Sequence, residues 1–338
     1  MKCVVGLSGG VDSSTTAFLL KKRGCEVIGC TFKMFETESS ARAIADAKKV
    51  ANFLEIPHEV IDCVADFRHF VIDNFVSSYE GGCTPNPCVL CNRYVKFKYL
   101  DAFREKHNAD LLATGHYARL IRKNGETQLH QATDLTRDQS YFLYRVPQEI
   151  LARMVFPLGE FTKTHVREIA KEIGLCTAEK ADSQDVCFIN TDTYVDFVKQ
   201  HSAATVQSGD IVDTNGKVLG RHNGTINYTI GQRKGLGLAG GPYFVCRIDP
   251  ERNLVVVSDK AGVKRDTIML SSVVFVNDEV LGDCKVKIRS SNKKTPAQIC
   301  KNEDGYFVQL SQPEYGVAKG QHCVFFRDDR VLGGGVIE

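Results

Sequence analysis

Val4-Val5-Gly6-Leu7-Ser8-Gly9-Gly10-Val11-Asp12-Ser13-Ser14 reads as a short apolar strand, a glycine-rich turn and the opening of a helix. Cys3 to Leu7 is strand-like. Gly9 and Gly10 permit backbone angles that residues with a Cβ resist. Ser13-Ser14 leads into Thr15 to Arg23, with apolar Ala17, Phe18, Leu19 and Leu20, and Gly24 is a natural stop. Backbone amides in such a turn, with the helix dipole behind them, make an anion site. Ser8, Ser13 and Ser14 add hydroxyl groups. No Gly-Lys-Ser/Thr follows, so this is not a Walker loop, and the spacing is not the dinucleotide glycine fingerprint either.

Around this stretch, residues 1 to about 115 alternate strand and helix signals. Val27 to Phe32 and Glu59 to Cys63 predict strands, and Ser40 to Leu54 and Asp66 to Tyr79 predict helices. Asp110 to Thr114 predicts another strand, ending at Gly115-His116. The alternation argues for a doubly wound parallel sheet wrapped by helices, with ligands at the carboxyl ends of its strands. Tyr117 to Gln131 reads as a hairpin turning at Asn124-Gly125. Helical signals return at Gln139 to Arg145, Glu149 to Arg153, Thr164 to Ile173 and Thr191 to His201. From about Gly209 the texture changes to short strands between Gly, Asn and Asp turns, which suggests two small β-rich domains, the last a β-barrel. The expected domains are residues 1–205, 206–264 and 265–338.

With 338 residues, two or three domains are expected, and 43% hydrophobic content is enough for a sizeable core. A net charge of only +2 means that any surface for nucleic acid is local. No apolar run reaches the length of a membrane span and no signal segment precedes the first strand, so a soluble cytoplasmic protein without membrane partners is expected. Thirteen cysteines without a secretion signal point to reactive, metal-binding or buried thiols rather than a disulfide framework.

Two cysteine stretches stand out. In Gly81-Gly82-Cys83-Thr84-Pro85-Asn86-Pro87-Cys88-Val89-Leu90-Cys91-Asn92-Arg93, the prolines and glycines predict a rigid exposed loop. Cys91 then precedes a helix expected over Tyr94 to Lys106, whose N-terminus, with Arg93 and Lys96, would lower the thiol's pKa. The alternatives are inert buried thiols, or a zinc site from Cys83, Cys88, Cys91 and a distant fourth ligand. In Lys180-Ala181-Asp182-Ser183-Gln184-Asp185-Val186-Cys187-Phe188-Ile189, Cys187 lies in a polar loop beside two aspartates. Lys285, Lys287 and Arg289 form a basic run that suits either a solvated strand face or a polyanion.

The run Ser8 to Ser13 resembles the pyrophosphatase loop of enzymes that adenylate a carbonyl oxygen with ATP. It is followed in order by Thr84-Pro85-Asn86-Pro87 with Cys91-Asn92, Ala113-Thr114-Gly115-His116-Tyr117 and Asp138-Gln139-Ser140-Tyr141-Phe142-Leu143. Cys187-Phe188-Ile189 and Ile230-Gly231-Gln232-Arg233-Lys234-Gly235-Leu236-Gly237 come next. Together, and through the closing Leu332 to Glu338, the chain resembles the tRNA-specific 2-thiouridylases along its whole length. That resemblance implies a tRNA-uridine sulfurtransferase. ATP with Mg²⁺ adenylates the C2 oxygen of the wobble uridine in tRNAs for Glu, Gln and Lys, pyrophosphate leaves, and sulfur replaces the activated oxygen. It assigns ATP to Gly6, Leu7, Ser8, Gly9, Gly10, Val11, Asp12, Ser13, Phe32 and Gly115, and catalysis to Asp12, Cys91 and Cys187. Cys187 would carry a persulfide supplied by a cysteine desulfurase or relay protein, and Cys91 would attack it or pair with Cys187 as a disulfide. Asn86, Pro87 and Cys88 would hold the flipped base, and Arg137, Asp138, Gln139, Arg289 and Ser290 would touch tRNA. Cys88 stands where many relatives have Asp, and Ser290 where an aromatic is common. Three thiolates, Cys88, Cys91 and Cys187, equally suit a [4Fe–4S] cluster with one iron open to sulfur. The rival readings are another ATP pyrophosphatase-type ligase, or an inactive zinc-containing tRNA-binding protein.

Overall fold

The computed structural model describes residues 1–181, 186–202 and 206–338. The opening strand β1 (Lys2–Gly6) carries Cys3, Val4 and Val5 at zero exposure and feeds through the glycine turn into α1 (Val11–Lys22). The alternation continues through β2 (Glu26–Lys33), α2 (Glu38–Phe53) and β3 (His58–Asp62). Next come α3 (Val64–Phe67), α4 (Asp73–Glu80), α5 (Pro87–Cys91), α6 (Phe97–Lys106) and β4 (Leu111–Ala113). The hairpin β5 (Ala118–Lys123) and β6 (Glu126–Gln131), then α7 (Gln148–Leu151), β7 (Met154–Val155) and α8 (Lys163–Glu172), complete this part. The sheet is parallel, in the order β3-β2-β1-β4-β7. A parallel sheet is covered on both faces, and successive residues of β1 serve opposite cores. Val4 joins Phe97, Leu100 and Phe103, whereas Cys3 and Val5 join Ala17, Leu20, Val50 and Ala51.

Two expectations are corrected. The helix after the cysteine loop does not begin near Tyr94. Asn86 is extended, Pro87 takes the first helical position, and α5 continues through a π-turn at Asn92–Lys96 into α6. Proline suits that first position because its missing N–H would have had no helical acceptor. Cys91 therefore lies inside a helix. The helix expected over Gln139 to Arg145 is a single 3₁₀ turn, Ser140–Leu143, because Asp138 accepts from the Ser140 amide and hydroxyl and holds the chain in a turn.

The hairpin turns at Asn124 and Gly125, both at positive φ, as a two-residue turn of this hand requires. It does not stay with the parallel sheet. β6 pairs with the last strand of the C-terminal barrel at His130↔Arg330. After α9 (Tyr194–His201), a four-stranded middle sheet is built from β8 (Gly209–Asp213), β9 (Val218–His222), β10 (Phe244–Asp249) and β11 (Leu254–Ser258). Six further strands are β12 (Lys264–Phe275), β13 (Gly282–Lys287), β14 (Thr295–Asn302), β15 (Gly305–Tyr315), β16 (His322–Arg327) and β17 (Arg330–Ile337). They close into a barrel through β12–β17.

The barrel and the first domain share one core, in which Leu129, Tyr141, Leu143 and Tyr144 pack with Val324, Phe326 and Val331. The Tyr141 hydroxyl donates to the His322 carbonyl at 2.8 Å, and the Tyr144 hydroxyl lies 2.6 Å from His322 Nδ1. A Cβ on Gly334 would fall 2.7 Å from the Cys323 carbonyl oxygen and 2.9 Å from the Tyr144 ring. Gly334→Ala is accordingly expected to overpack this joint and cost about 1–3 kcal/mol, seen as a lower urea midpoint by circular dichroism.

Candidate active site

The glycine turn sits at the carboxyl end of β1, between β2 and β4. Its resting form is held by its own serines. The Ser8 amide donates to Ser13 Oγ at 3.1 Å, and the Ser13 and Ser14 hydroxyls donate to the Gly10 carbonyl at 3.2 and 2.8 Å. Gly9 is at φ +70°, and a Cβ there would lie 2.6 Å from the Ala43 carbonyl oxygen, so the turn rests directly on α2. Gly10 caps α1 with no side-chain bond, which leaves the first-turn amides of Val11, Asp12 and Ser13 directed at whatever anion enters. Gly115 brings the next rim turn onto the loop, since a Cβ there would lie 2.8 Å from the Ser13 nitrogen. The Phe32 ring lies against Gly6. Gly6 to Ser13, Phe32 and Gly115 thus gather on one rim. Leu7 and Val11 are buried, so only their main chain faces a ligand.

Asp12 is engaged by two residues that the sequence reading did not single out. Lys163 Nζ lies 2.7 Å from both carboxylate oxygens, and the Tyr117 hydroxyl donates at 2.8 Å. Lys163 opens α8, where the helix dipole disfavours a cation, and a buried lysine there needs an anion nearby. That misplaced charge was the available signal. Lys180 adds a second clasp, donating to the Gly9 carbonyl at 3.0 Å and to the Asp46 carboxylate at 2.9 Å, which holds Asp46 below the usual carboxylate range.

The cysteines converge a short way from this rim. Cys91 is 5% exposed, with its Sγ 3.9 Å from Met34 Sδ. Phe188, next to Cys187, packs on the rings of Phe67, Phe75 and Phe197 in the same core as Cys91. Cys88 and Cys187 are exposed. Of the two aspartates expected beside Cys187, Asp182 and Asp185, both lie outside the described residues. The low pKa expected for Cys91 is corrected. Burial pushes it up to about 12, and Lys96 opposes that only in part. Cys88 and Cys187 are also raised by their surroundings, again against Lys96. Arg93 lies over the Tyr94 ring instead. Among the described residues no three His, Cys, Asp or Glu side chains are placed to hold a metal ion. The zinc set expected around Cys83 is therefore not assembled among the described residues, whereas Cys88, Cys91 and Cys187, the residues that would hold an iron–sulfur cluster, lie within electrostatic reach of one another. His116 is enclosed against Phe97 and Phe156, with Nδ1 2.8 Å from Thr114 Oγ1. Burial, with Lys96 adding to it, pushes its pKa down to about 3, so the ring is neutral.

Asn86 and Pro87 stand at the start of α5, beside a cavity of about 520 Å³ also lined by Leu90, Arg145 and Lys319. The barrel shapes this loop. The Lys319 carbonyl accepts from the Thr84 amide at 2.8 Å, and the Gln321 side chain donates to the Thr84 and Pro85 carbonyls at 3.1 Å each. Of the other residues expected to touch tRNA, Arg137 and Ser290 are exposed. Asp138 is corrected. Its side chain is 1% exposed and accepts from Gln131, the Ala132 amide and Ser140, so it builds the turn. Gln139 accepts from the Tyr117 amide. Arg289 turns its guanidinium to the Gly316 carbonyl at 2.7 Å and the Ile230 carbonyl at 3.4 Å, pinning the middle domain to the barrel.

Three family models match the chain in succession. They are described as a tRNA methyl transferase HUP domain (residues 1–191), a tRNA methyl transferase PRC-barrel domain (195–259) and an aminomethyltransferase beta-barrel domain (265–337). The chain is 45% identical over 348 residues to the tRNA-specific 2-thiouridylase MnmA of Pelobacter propionicus, covering 100% of this chain and 97% of that protein. It is 42% identical to the MnmA of Rhodospirillum centenum, with 99% and 91% covered. The solved U34-tRNA thiolase NcsA from Methanococcus maripaludis with its [4Fe-4S] cluster is 18% identical, with a TM-score of 0.38 over 60% of this chain and 64% of that one.

Gly115→Ala is expected to push the rim off the glycine turn and weaken ATP binding at least about tenfold by calorimetry. Alkylation with iodoacetamide at pH 8 is expected to label exposed Cys88, Cys176 and Cys187 early and Cys91 late, with the other buried thiols, read by peptide mass spectrometry. A thiol titrating near 12 is only about one part in ten thousand thiolate at that pH.

Proposed function

Because the chain belongs to the tRNA-specific 2-thiouridylase family, we propose that it uses ATP to exchange the C2 oxygen of the wobble uridine for sulfur in the tRNAs for Glu, Gln and Lys. The observation that carries this reading is the joining of an anion-binding turn and a two-cysteine recess within one domain, with the Thr84–Pro87 loop beside them.

The C2 oxygen is a poor leaving group, and transfer of AMP makes it a good one. The amides of Gly9 to Ser13 and the hydroxyls of Ser8 and Ser13 receive the phosphates of ATP, whose Mg²⁺ enters with it. Asp12 keeps the Lys163 ammonium beside that turn, where it offsets phosphate charge. The uridine must leave the anticodon stack to reach the site, and Asn86, Pro87 and Cys88 line the place for it. Attack of the C2 oxygen on the α-phosphorus then releases pyrophosphate.

Sulfur arrives as a persulfide on Cys187, from a cysteine desulfurase or a relay protein. In one order, the Cys91 thiolate attacks the inner persulfide sulfur. The Cys91–Cys187 disulfide forms and hydrosulfide leaves with the electron pair, attacks C2 and expels AMP. In the other, the terminal persulfide sulfur attacks C2 first and expels AMP, and the Cys91 thiolate then attacks Cys187 Sγ, so that the S–S bond breaks and the thiolated base leaves with the electron pair. Both end in the same disulfide, which a thiol reductant reopens. No step is routed through an iron–sulfur cluster, which the same three cysteines would hold if one were bound.

Purified without oxygen, the protein is expected to hold negligible iron and to thiolate tRNA when given ATP, Mg²⁺ and a persulfide donor. Cys91→Ser and Cys187→Ser should each lower thiolation at least about 100-fold while pyrophosphate release persists. Active Cys91→Ser would indicate a different adenylating ligase, and absence of pyrophosphate release by the intact chain would reduce it to a binding protein. Stoichiometric iron and sulfide would restore the cluster.

A further inference from the structure

One cation faces the sulfur recess and has no role in the steps above. Lys96 closes the π-turn that follows Cys91, where the Phe97 amide reaches back five residues to the Asn92 carbonyl. Such wide turns recur at functional sites because they re-aim a helix face. Here the turn brings the half-buried Lys96 side chain within electrostatic reach of Cys91, Cys187 and Cys88. Its other neighbour is His116, at the nucleotide rim, whose enclosed ring is neutral and brings no negative charge.

Among the described residues Lys96 makes no hydrogen bond and no ion pair. Nearby cations behave differently. Lys98 meets Asp66 at 2.8 Å, Lys163 meets Asp12 at 2.7 Å and Lys180 meets Asp46 at 2.9 Å. Holding an ammonium away from water without a carboxylate is costly unless an anion shares the site. The groups within electrostatic reach that can become anions are the cysteine sulfurs. Burial works against the charged amine, and thiolate charge on Cys91, Cys187 or Cys88 more than offsets it, so ammonium and anionic sulfur stabilise one another.

We propose that the Lys96 ammonium is the fixed counter-charge of the sulfur recess, a positioning residue that holds anionic sulfur beside the nucleotide rim and serves sulfur transfer rather than adenylation. The inference rests on the thiolation reading above. In that chemistry the negative charge stays on sulfur until attack on C2 passes it to the departing AMP. It starts on the Cys91 thiolate or the terminal persulfide sulfur and passes to the departing hydrosulfide as the disulfide forms. A cation preorganised within reach of Cys91 and Cys187 favours each of those states over the resting thiols without reorganising.

The test compares Lys96→Met, which keeps the stem and loses the charge, with Lys96→Arg, which keeps the charge. Single-turnover thiolation and pyrophosphate release are followed with tRNA, ATP, Mg²⁺ and a persulfide donor, and thermal midpoints check folding. Expected for Lys96→Met is thiolation about 100-fold slower, pyrophosphate release much less affected, and build-up of adenylated tRNA. Lys96→Arg should recover thiolation to within about tenfold of the intact chain. If Lys96→Met fails to fold, the neutral polar Lys96→Gln replaces it with the same readouts. Unchanged thiolation in the neutral variant overturns the proposal, and so does an equal loss of both steps in a folded variant. An intact chain that does not thiolate at all overturns the function itself.

Discussion

The ion pair between Asp12 and Lys163 ties together the parts that the rest of the molecule is arranged around. It joins the glycine turn to α8, and through the Tyr117 hydroxyl it also joins the segment that leads from β4 to the hairpin. The Lys163 charge, largely withdrawn from water, is costly without its partner, which favours keeping the three segments in register. Lys180 repeats the device from the other side, clasping Gly9 to α2. A turn whose own serines fill only part of its hydrogen-bonding capacity is thereby kept open toward an anion rather than collapsing on itself.

A second constraint is that the barrel is not an appendage. The hairpin that leaves the first domain adds to the barrel's sheet, and the tyrosines that follow it are packed into the barrel wall at His322 and Gly334. From the same end of the barrel, Lys319 and Gln321 hold the Thr84–Pro85 backbone. The Thr84–Pro87 loop is thus set by a segment more than two hundred residues away, and Arg289 locks the middle domain to the same frame. A loop carrying two prolines has few amides with which to hold itself, which is why it takes its bonds from elsewhere.

The cysteine recess is quiet at rest. Cys91, drawn away from water, favours the protonated state, and Lys96 relieves that only in part. Such a site suits chemistry in which free thiolate is wanted only once an activated base is in place, since an always-ionised pair would be open to oxidation. The aromatic cluster around Phe188 anchors the segment bearing Cys187 to the core that holds Cys91, so the pair is brought together by packing rather than by a bond.

Much of this was legible in the residues alone. The strand–turn–helix of Val4 to Ser14, the alternation after it, the Asn124-Gly125 hairpin and the change of texture near Gly209 are all local, and local preferences of glycine, proline and apolar spacing suffice for them. Even the start of α5 was within reach, because a proline at a first helical position is a start signal that the surrounding loop residues obscured. Where charges point was not legible. Asp138 and Arg289 look like surface groups and are turned inward. Lys163 looks like a helix residue and is the partner of Asp12, and Lys96 looks like one lysine among several and faces the cysteines. Those outcomes depend on partners tens to hundreds of residues away and on how much water each site retains. Sequence sets the chemistry available to each residue, and only the tertiary packing decides which charges meet and how strongly they act.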